Sequence, residues 1–264
     1  MSQSRELQAH IKQLEEIRSI LNAMKNLAFM AVHKLTQLQA LQTQIVTHIE
    51  HNAVTFLTAY PIVNIEYKPQ PVYIVIGSER GFCGDFNDSL LNHLPPDANI
   101  IAIGSRLIGR IESYTYQVIA SLMGANAEEE IPLLLEQLLE QLANTDHQTL
   151  IVVYHDVDNN QIQQRQILPA FTQLKPNQNS ETPILNLTPA QFFSELLEQY
   201  VPAVLYEIFY SSLLTENRIR LQHLEGAVQH LDDQTSKLHR KAQQYRQEEI
   251  TEEIEVILLN TEQF

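Results

Sequence analysis

All eleven prolines of this 264-residue chain lie between Pro61 and Pro202. The first sixty residues hold neither proline nor glycine, and the last sixty-two hold only Gly226. Proline removes a helix donor and clashes with the preceding turn, and glycine weakens a helix by its backbone freedom. Two long segments cleared of both predict two long helices, one at each end. Periodicity agrees. Leu7, Leu14, Leu21, Ala28, Leu35, Ile49 and Phe56 recur every seven residues, with Gln42 the one polar member, and Ile17, Met24, Ala31, Leu38 and Ile45 follow at an offset of three. The C-terminal segment repeats Leu214, Leu221 and Val228, and at an offset Leu224, Leu231, Leu238 and Tyr245. These are heptad seams. Helices of about 55 residues would run about 80 Å at 1.5 Å per residue. The middle supplies no helices of matching length for a bundle, so the simplest partner of each is the other, as an antiparallel coiled coil.

The middle reads as α/β. Apolar runs bounded by turn residues predict strands at Val72–Gly77, Asn99–Gly104 and Thr149–His155. Helical patterns separate them, at Asn87–Leu94, Ser105–Glu112 and Ala127–Ala143, with Asn126 placed to cap the third. Gln161–Leu187 predicts a strand or two and a loop. Thr188-Pro189 reads as N-cap and first position of a helix that Pro202 interrupts. Three domains are therefore expected: a coiled-coil helix over 1–60, an α/β domain over 61–202 and a second coiled-coil helix over 203–264.

Charge and cysteine usage exclude several classes. The net charge of −15 argues against nucleic acid and against direct binding to anionic lipid. It is uneven: +1 over 1–60, −11 over 61–202 and −5 over 203–264. A single cysteine forms no internal disulfide, which suits a reducing compartment. The N-terminus has no apolar core of signal-peptide type.

The densest motif is GSERGFCGDFN, residues 77–87, with three of the seven glycines and the one cysteine. A glycine-rich turn after a strand often cradles phosphate. Here no G-x-x-x-x-G-K-[ST] and no G-x-G-x-x-G occurs, and Asp85 follows Gly84 where a carboxylate would repel phosphate. A tight strand-to-helix turn capped by Asp85 or Asn87 is the expectation. Cys83 has no neighbouring histidine in sequence to activate it. His155, Asp156 and Asp158 fit alternation along a strand end as well as they fit a metal site. No catalytic residue, cofactor or metal is expected.

The order of features resembles the gamma subunit family of F-type ATP synthases over essentially the full length. Ile20-Leu21-Asn22-Ala23-Met24-Lys25-Asn26-Leu27-Ala28 is similar to the family's I-T-K-A-M-K-M-V-A. SERGFCGDFN resembles S-D-R-G-L-C-G-G-F-N, making Gly81, Cys83, Gly84 and Asn87 the signature loop. Thr215-Glu216-Asn217 with Arg220, Leu221, Leu224 and Ala227 resembles S-E-N-x-x-R-M-x-x-M-x-x-A, and Arg246 to Ile254 resembles R-Q-A-x-I-T-x-E-L. Ala31 and Asp85 depart from the common pattern. The short length and phrases such as IGSRLIGRIE resemble instead the gamma subunit of the alternative N-type, sodium-associated F-ATPases.

The resemblance implies an α/β fold class: a long antiparallel coiled coil of the N- and C-terminal helices flanking a Rossmann-like α/β domain. It implies a non-catalytic rotor shaft that couples ion flow through the membrane c-ring to ATP synthesis or hydrolysis in an alpha–beta ring. The implied partners are alpha, beta, epsilon and the c-ring, with the chain peripheral to the cytoplasmic face of the cell inner membrane. Arg18, Lys25, Arg246, Gln247, Thr251 and Glu253 are the residues implied to meet the alpha–beta ring, with Arg18 and Lys25 expected level with Arg246 on the opposing helix. The alternative reading is a coiled-coil adaptor with an α/β cap, unrelated to an ATPase. An α/β enzyme with helical arms lacks a site.

Overall fold

The computed structural model describes residues 3–61, 71–144, 149–157, 161–174 and 183–261. Helix α1 spans Gln3–Ala59, and strand β1 follows at Val72–Ile76. Then come α2 (Phe86–Asn92), β2 (Asn99–Ile103), α3 (Ser105–Ile111) and β3 (Gln117–Leu122). A short 3-10 turn at Glu128–Glu130 leads into α4 (Ile131–Ala143), followed by β4 (Leu150–Asp156), β5 (Gln161–Leu168) and α5 (Pro189–Thr261). By packing, the chain divides into one unit of 1–28 with 221–264 and another of 29–220.

In the larger unit the five strands lie in the order β3-β2-β1-β4-β5. β1 pairs in parallel with β2 and β4, β2 with β3 likewise, and β5 runs antiparallel to β4. Strand alternation sends consecutive side chains to opposite faces. Val72, Ile74 and Ile76 join a core with α4 and parts of α1 and α5, whereas Tyr73 and Val75 join a second core with α2 and α3. All five β1 residues are buried, which is why the strand reads as an unbroken apolar run. Arg165 on β5 bonds Glu50 of α1 at 2.8 Å and Glu207 of α5 at 2.6 Å, so one guanidinium ties three elements of this unit.

Several expectations change. β3 was not anticipated: QVIASL is short and shows no unbroken apolar run. Asn126 does not cap the third helix. Its backbone N–H instead donates to Glu130 at 2.7 Å, so the glutamate reaches back to satisfy the chain entering the turn. Asp85 holds the N-cap position of α2 without a side-chain cap bond, and Asn87 lies inside the helix. Thr188 does cap α5, its Oγ1 accepting from Gln191 N at 3.4 Å. Gln191 Oε1 in turn accepts from Thr188 N at 3.3 Å, a reciprocal capping pair. Pro202 does not interrupt α5, which runs through it for 73 residues. A mid-helix proline costs about 3 kcal/mol, and the burial of Leu196, Tyr200, Val204, Leu205 and Ile208 around it offsets that cost. The C-terminal helix therefore starts at Pro189, not beyond Pro202. Part of the loop expected within Gln161–Leu187 falls on 175–182, outside the described residues.

In the smaller unit the α1 and α5 segments run antiparallel. Arg18 pairs with Asp232 and Glu15 lies 3.7 Å from His239, so numbers rise on one helix as they fall on the other. The seam on α5 follows the expected heptads: Leu224 and Val228 are buried, Leu221, Leu231, Leu238 and Tyr245 half-buried, with Thr235 and Ala242 buried between them. On α1 the second seam position differs from expectation in part: Met24, Ala31 and Leu38 are half-buried as expected, but Ile17 and Ile45 are exposed. Ile11 is 5% exposed and Ile17 is 47% exposed. The companions of Leu7, Leu14, Leu21 and Ala28 lie four residues on, at Ile11, Arg18 and Lys25, all buried or half-buried. The same spacing recurs in the larger unit at Val32, Gln39, Val46 and Ala53. Arg18, Lys25 and Gln39 occupy seam positions with polar heads, and that hid the true register in the sequence.

The two registers separate in a denaturation experiment. Ile11→Ala should cost about 2–4 kcal/mol, the range for truncating a buried aliphatic side chain. Ile17→Ala should stay within about 0.5 kcal/mol, as surface substitutions do. Urea unfolding followed by circular dichroism measures both, and the opposite ranking would restore the offset of three.

Candidate functional site

Two motifs more than a hundred residues apart in sequence come together in the larger unit. The turn after β1 delivers Ser78 to Asn87, and α5 delivers Glu216, Asn217 and Arg220. Chain reversal here needs left-handed backbone at Phe82 (φ 65°) and Gly84 (φ 59°), a conformation glycine adopts without penalty. Gly77 is needed for a different reason: a Cβ there would stand 2.4 Å from Leu107 Cβ and 2.7 Å from Asn87 Oδ1. Asn87 ties the turn across itself, accepting from Ser78 N at 2.9 Å and donating to Ser78 Oγ at 2.9 Å. Gly81 faces open space near Arg106, so its service to the turn is its carbonyl.

Arg220 receives the turn. Its Nε donates to Gly81 O at 3.1 Å, Nη1 to Asn217 Oδ1 at 2.9 Å and Nη2 to Cys83 Sγ at 3.4 Å. Nη2 also pairs with Glu216 one helical turn earlier. Both partners are buried, at 6% and 4% exposure. Burial drives the Glu216 carboxyl upward from its ordinary range, and the Arg220 guanidinium opposes that shift. Asn217 completes the network by donating to Leu213 O at 2.8 Å. Cys83 is buried within this cluster, its sulfur 3.4 Å from Gly81 O. Burial first, and the Glu216 charge second, push its thiol up to about 11, which leaves it a poor nucleophile.

Beside the turn lies an open cavity of about 580 Å³, lined among others by Arg80, Arg106, Arg110, Gly81 and Gly84. In nucleotide-binding sheets of this strand order a phosphate rests against the backbone N–H groups beyond the strands. Here Glu79 occupies such N–H groups. Its carboxylate accepts from Ser105 N at 2.8 Å, Ser105 Oγ at 2.6 Å and Gly124 N at 2.7 Å. Burial alone would raise this carboxyl, but these bonds and the nearby Arg106 outweigh it and hold it below the ordinary 4.5. Gly104 makes the approach possible: at φ 111° it lies where a Cβ would meet Gly77 O and Ser78 O at 2.8 Å. The loop is thus already filled by an internal anion.

The remaining expected residues disperse. Arg18 is engaged with Asp232, and Lys25 lies half-buried on the seam. Arg246 instead stands level with Arg5, Gln8 and Ile11. The expectation that Arg18 and Lys25 share its level is corrected, because helix α1 begins at Gln3 and pairs Arg18 with Asp232, fourteen residues before Arg246. Arg246, Gln247, Thr251 and Glu253 are exposed, with Thr251 Oγ1 donating to Gln247 O at 2.9 Å. His155 is buried, its ring stacked 3.9 Å from Phe86 with Nε2 2.9 Å from Phe86 O. Asp158 lies outside the described residues. Among the described residues no three His, Cys, Asp or Glu side chains gather to hold a metal, and no helix is long and apolar enough to cross a membrane. Sequence reasoning missed Glu79 and the meeting of Arg220 with the loop. The spacing of neither reveals it, since both depend on long-range folding.

A sheet domain with its phosphate position filled from within, and its glycine turn pinned to a helix of 73 residues, defines a class of α/β protein carried on a long helix. The ATP synthase family model matches residues 3–260, and the chain belongs to that family. Its relatives there are gamma chains, the non-catalytic central-stalk component of the rotary ATP synthase. The gamma chain of Clostridium beijerinckii is 24% identical over 96% of this chain and 95% of its own length. That of Ruminococcus albus is 24% identical over 72% of each. Among solved structures, the rotor of the Euglena gracilis mitochondrial ATP synthase aligns with a TM-score of 0.64 at 14% identity, covering 94% of this chain and 98% of that one. A chain of the Tetrahymena thermophila central stalk and c-ring aligns with a TM-score of 0.57 at 17% identity, over 79% and 99%.

Two outcomes test the site. Because the folded Glu79 carboxyl lies below its unfolded value, its stabilisation is present above about pH 4.5 and is lost as pH falls through the lower folded value. The gap in urea midpoint between wild type and Glu79→Gln should therefore narrow between pH 6 and 3, and a constant gap would refute the ionic role. Cys83 should resist iodoacetamide at pH 8 in the native chain and react within minutes in urea. Rapid native labelling would mean the thiol is not held by the Arg220 cluster.

Proposed function

We propose that this chain turns within a ring of alpha and beta subunits and rotates with an epsilon subunit and a membrane c-ring, coupling ion flow to ATP synthesis or hydrolysis. The chain would then lie peripherally at the cytoplasmic face of the cell inner membrane. The observation that carries the reading is the end of α5. Thr251 to Leu258 are exposed on every side of the helix. Ile254, Val256 and Leu258 are 52–59% exposed there, and exposed aliphatic side chains along a helix end call for a surrounding wall supplied by other subunits.

On this reading Arg246, Gln247, Thr251 and Glu253 face the alpha–beta ring from one end of the helical pair, and Arg18 and Lys25 face it from farther along. Hydrogen bonds to charged groups are worth about 1.5–3 kcal/mol each, enough to favour one conformation of a catalytic subunit over another as the shaft turns. ATP itself is handled by the ring. The Gly81, Cys83, Gly84 and Asn87 turn contributes no ligand; with Arg220 it secures the sheet domain's turn to α5.

Co-purification of the chain with alpha and beta is the direct test, and failure to co-purify would refute the reading. Within the assembled complex, Arg246→Ala with Gln247→Ala should leave the chain folded and assembled while lowering ATP turnover or ion pumping several-fold. Wild-type hydrolysis, synthesis and pumping in that complex would show that these side chains merely solvate the helix.

A further inference from the structure

The positive charge of the sheet segment is gathered in one place. Residues 61–202 hold six Lys and Arg against seventeen Asp and Glu. Lys68 and Lys175 lie outside the described residues, and Arg165 is engaged with Glu50 and Glu207. The other three, Arg80, Arg106 and Arg110, line the open cavity of about 580 Å³ beside the glycine turn, against a single carboxylate on its wall, Asp88. Asp85, which the sequence sets against phosphate, is not on that wall. Like charges gathered in this way repel one another, and an anion placed between them turns repulsion into attraction. The volume falls within the range of about 300–1,000 Å³ that small-molecule sites occupy.

The guanidiniums keep donors for such an anion. Arg80 is held by a neutral partner, its Nε donating to Asn126 Oδ1 at 2.7 Å. Arg106 lies near Glu79, yet the Glu79 oxygens accept from Ser105 and Gly124 instead. Arg110 stands 3.8 Å from Asp88, a loose pair at the surface. Two further features of the cavity have no use in packing. Gly109 sits inside α3, where glycine weakens a helix, yet a Cβ there would meet nothing within 4 Å, so its bareness serves only to leave the cavity open. Phe82 is 50% exposed on the cavity wall, held there by left-handed backbone at φ 65° that a bulky side chain adopts only at a cost. The motif it resembles, S-D-R-G-L-C-G-G-F-N, has leucine at this place, so the aromatic ring is this chain's own.

We propose that this cavity binds a small oligophosphate: Arg80, Arg106 and Arg110 grip adjacent phosphate groups just outside the backbone position that Glu79 fills. Planar guanidinium forks match phosphate oxygens two at a time. Two sources share this chemistry, a free inorganic oligophosphate and a nucleoside triphosphate. Phe82 separates them, since a base stacks on an exposed aromatic ring and a bare phosphate chain does not. The inference stands independently of the proposed function, because it uses only residues of the sheet domain.

Titration calorimetry on the full chain, with inorganic triphosphate and with ATP, provides the test. Saturable binding of triphosphate is expected, and Arg110→Ala should weaken it at least about tenfold, or about 1.4 kcal/mol. Gly109→Leu should weaken it likewise by filling the cavity, while circular dichroism shows the helices intact. Arg240→Ala removes the same charge from an exposed position on α5 outside the cavity and should bind as wild type. Phe82→Leu reads the source. ATP weakened at least about fivefold with triphosphate unchanged assigns the nucleotide, and both ligands unchanged assigns the free oligophosphate. No saturable heat from either ligand, full affinity in both Arg110→Ala and Gly109→Leu, or an equal loss in Arg240→Ala overturns the site. None of these outcomes bears on co-purification with alpha and beta, so the inference and the proposed function fail separately.

Discussion

The Glu216–Arg220 pair is the interaction on which the arrangement of the glycine turn depends. Two charges taken out of water cost several kcal/mol each unless their remaining hydrogen-bonding capacity is met. Here it is met by the turn, through Gly81 O and Cys83 Sγ, together with Asn217 on α5 itself. The turn therefore cannot leave α5 without stranding a buried guanidinium, and removing one partner of such a pair costs about 3–5 kcal/mol. Apolar packing alone would allow the helix to slide by small steps at little cost. The ion pair makes one placement of turn against helix far better than its neighbours.

The same logic explains how a sheet with nucleotide-type strand order satisfies the backbone groups at this turn from within. A parallel sheet leaves backbone N–H groups beyond its strands, and they need an anion or an acceptor. Glu79 supplies both through Ser105 and Gly124. Gly77 and Gly104 then serve close packing of backbone on backbone, with no ligand required. Within the loop, Gly77 answers crowding, Gly84 a left-handed turn, and Gly81 offers its carbonyl to Arg220.

Much of the fold was legible in the sequence because it rests on local rules. The clearing of proline and glycine announced α1 and α5, and unbroken apolar runs announced β1, β2 and β4. What was hidden depends on distant partners. Pro202 reads as a helix breaker, yet the core around Tyr200 and Val204 carries α5 through it. β3 has too little apolar density to be seen alone, because much of its apolar surface is left open. At the site, Asp85 was legible as hostile to phosphate, but Glu79, which fills the phosphate position, looks in sequence like an ordinary surface residue.

The α1 seam shows how a correct heptad and a wrong register coexist. Leu7, Leu14, Leu21 and Ala28 fix one row, and the eye completes it with the most apolar neighbours, Ile17 and Met24. The helices instead meet along the row that includes Arg18 and Lys25. Long stems let both residues lie along the seam with their charged heads outward, and Arg18 secures its head to Asp232 on the opposite helix. Polar seam positions lower stability and in exchange specify register. Met24 stays half-buried, but Ile17, and with it Ile20 and Leu27 on the outer face, are left 47–62% exposed. A helical pair that needed only to hold itself together would bury those side chains and expose the charges. One that must also present apolar surface to surrounding subunits places them as they are found.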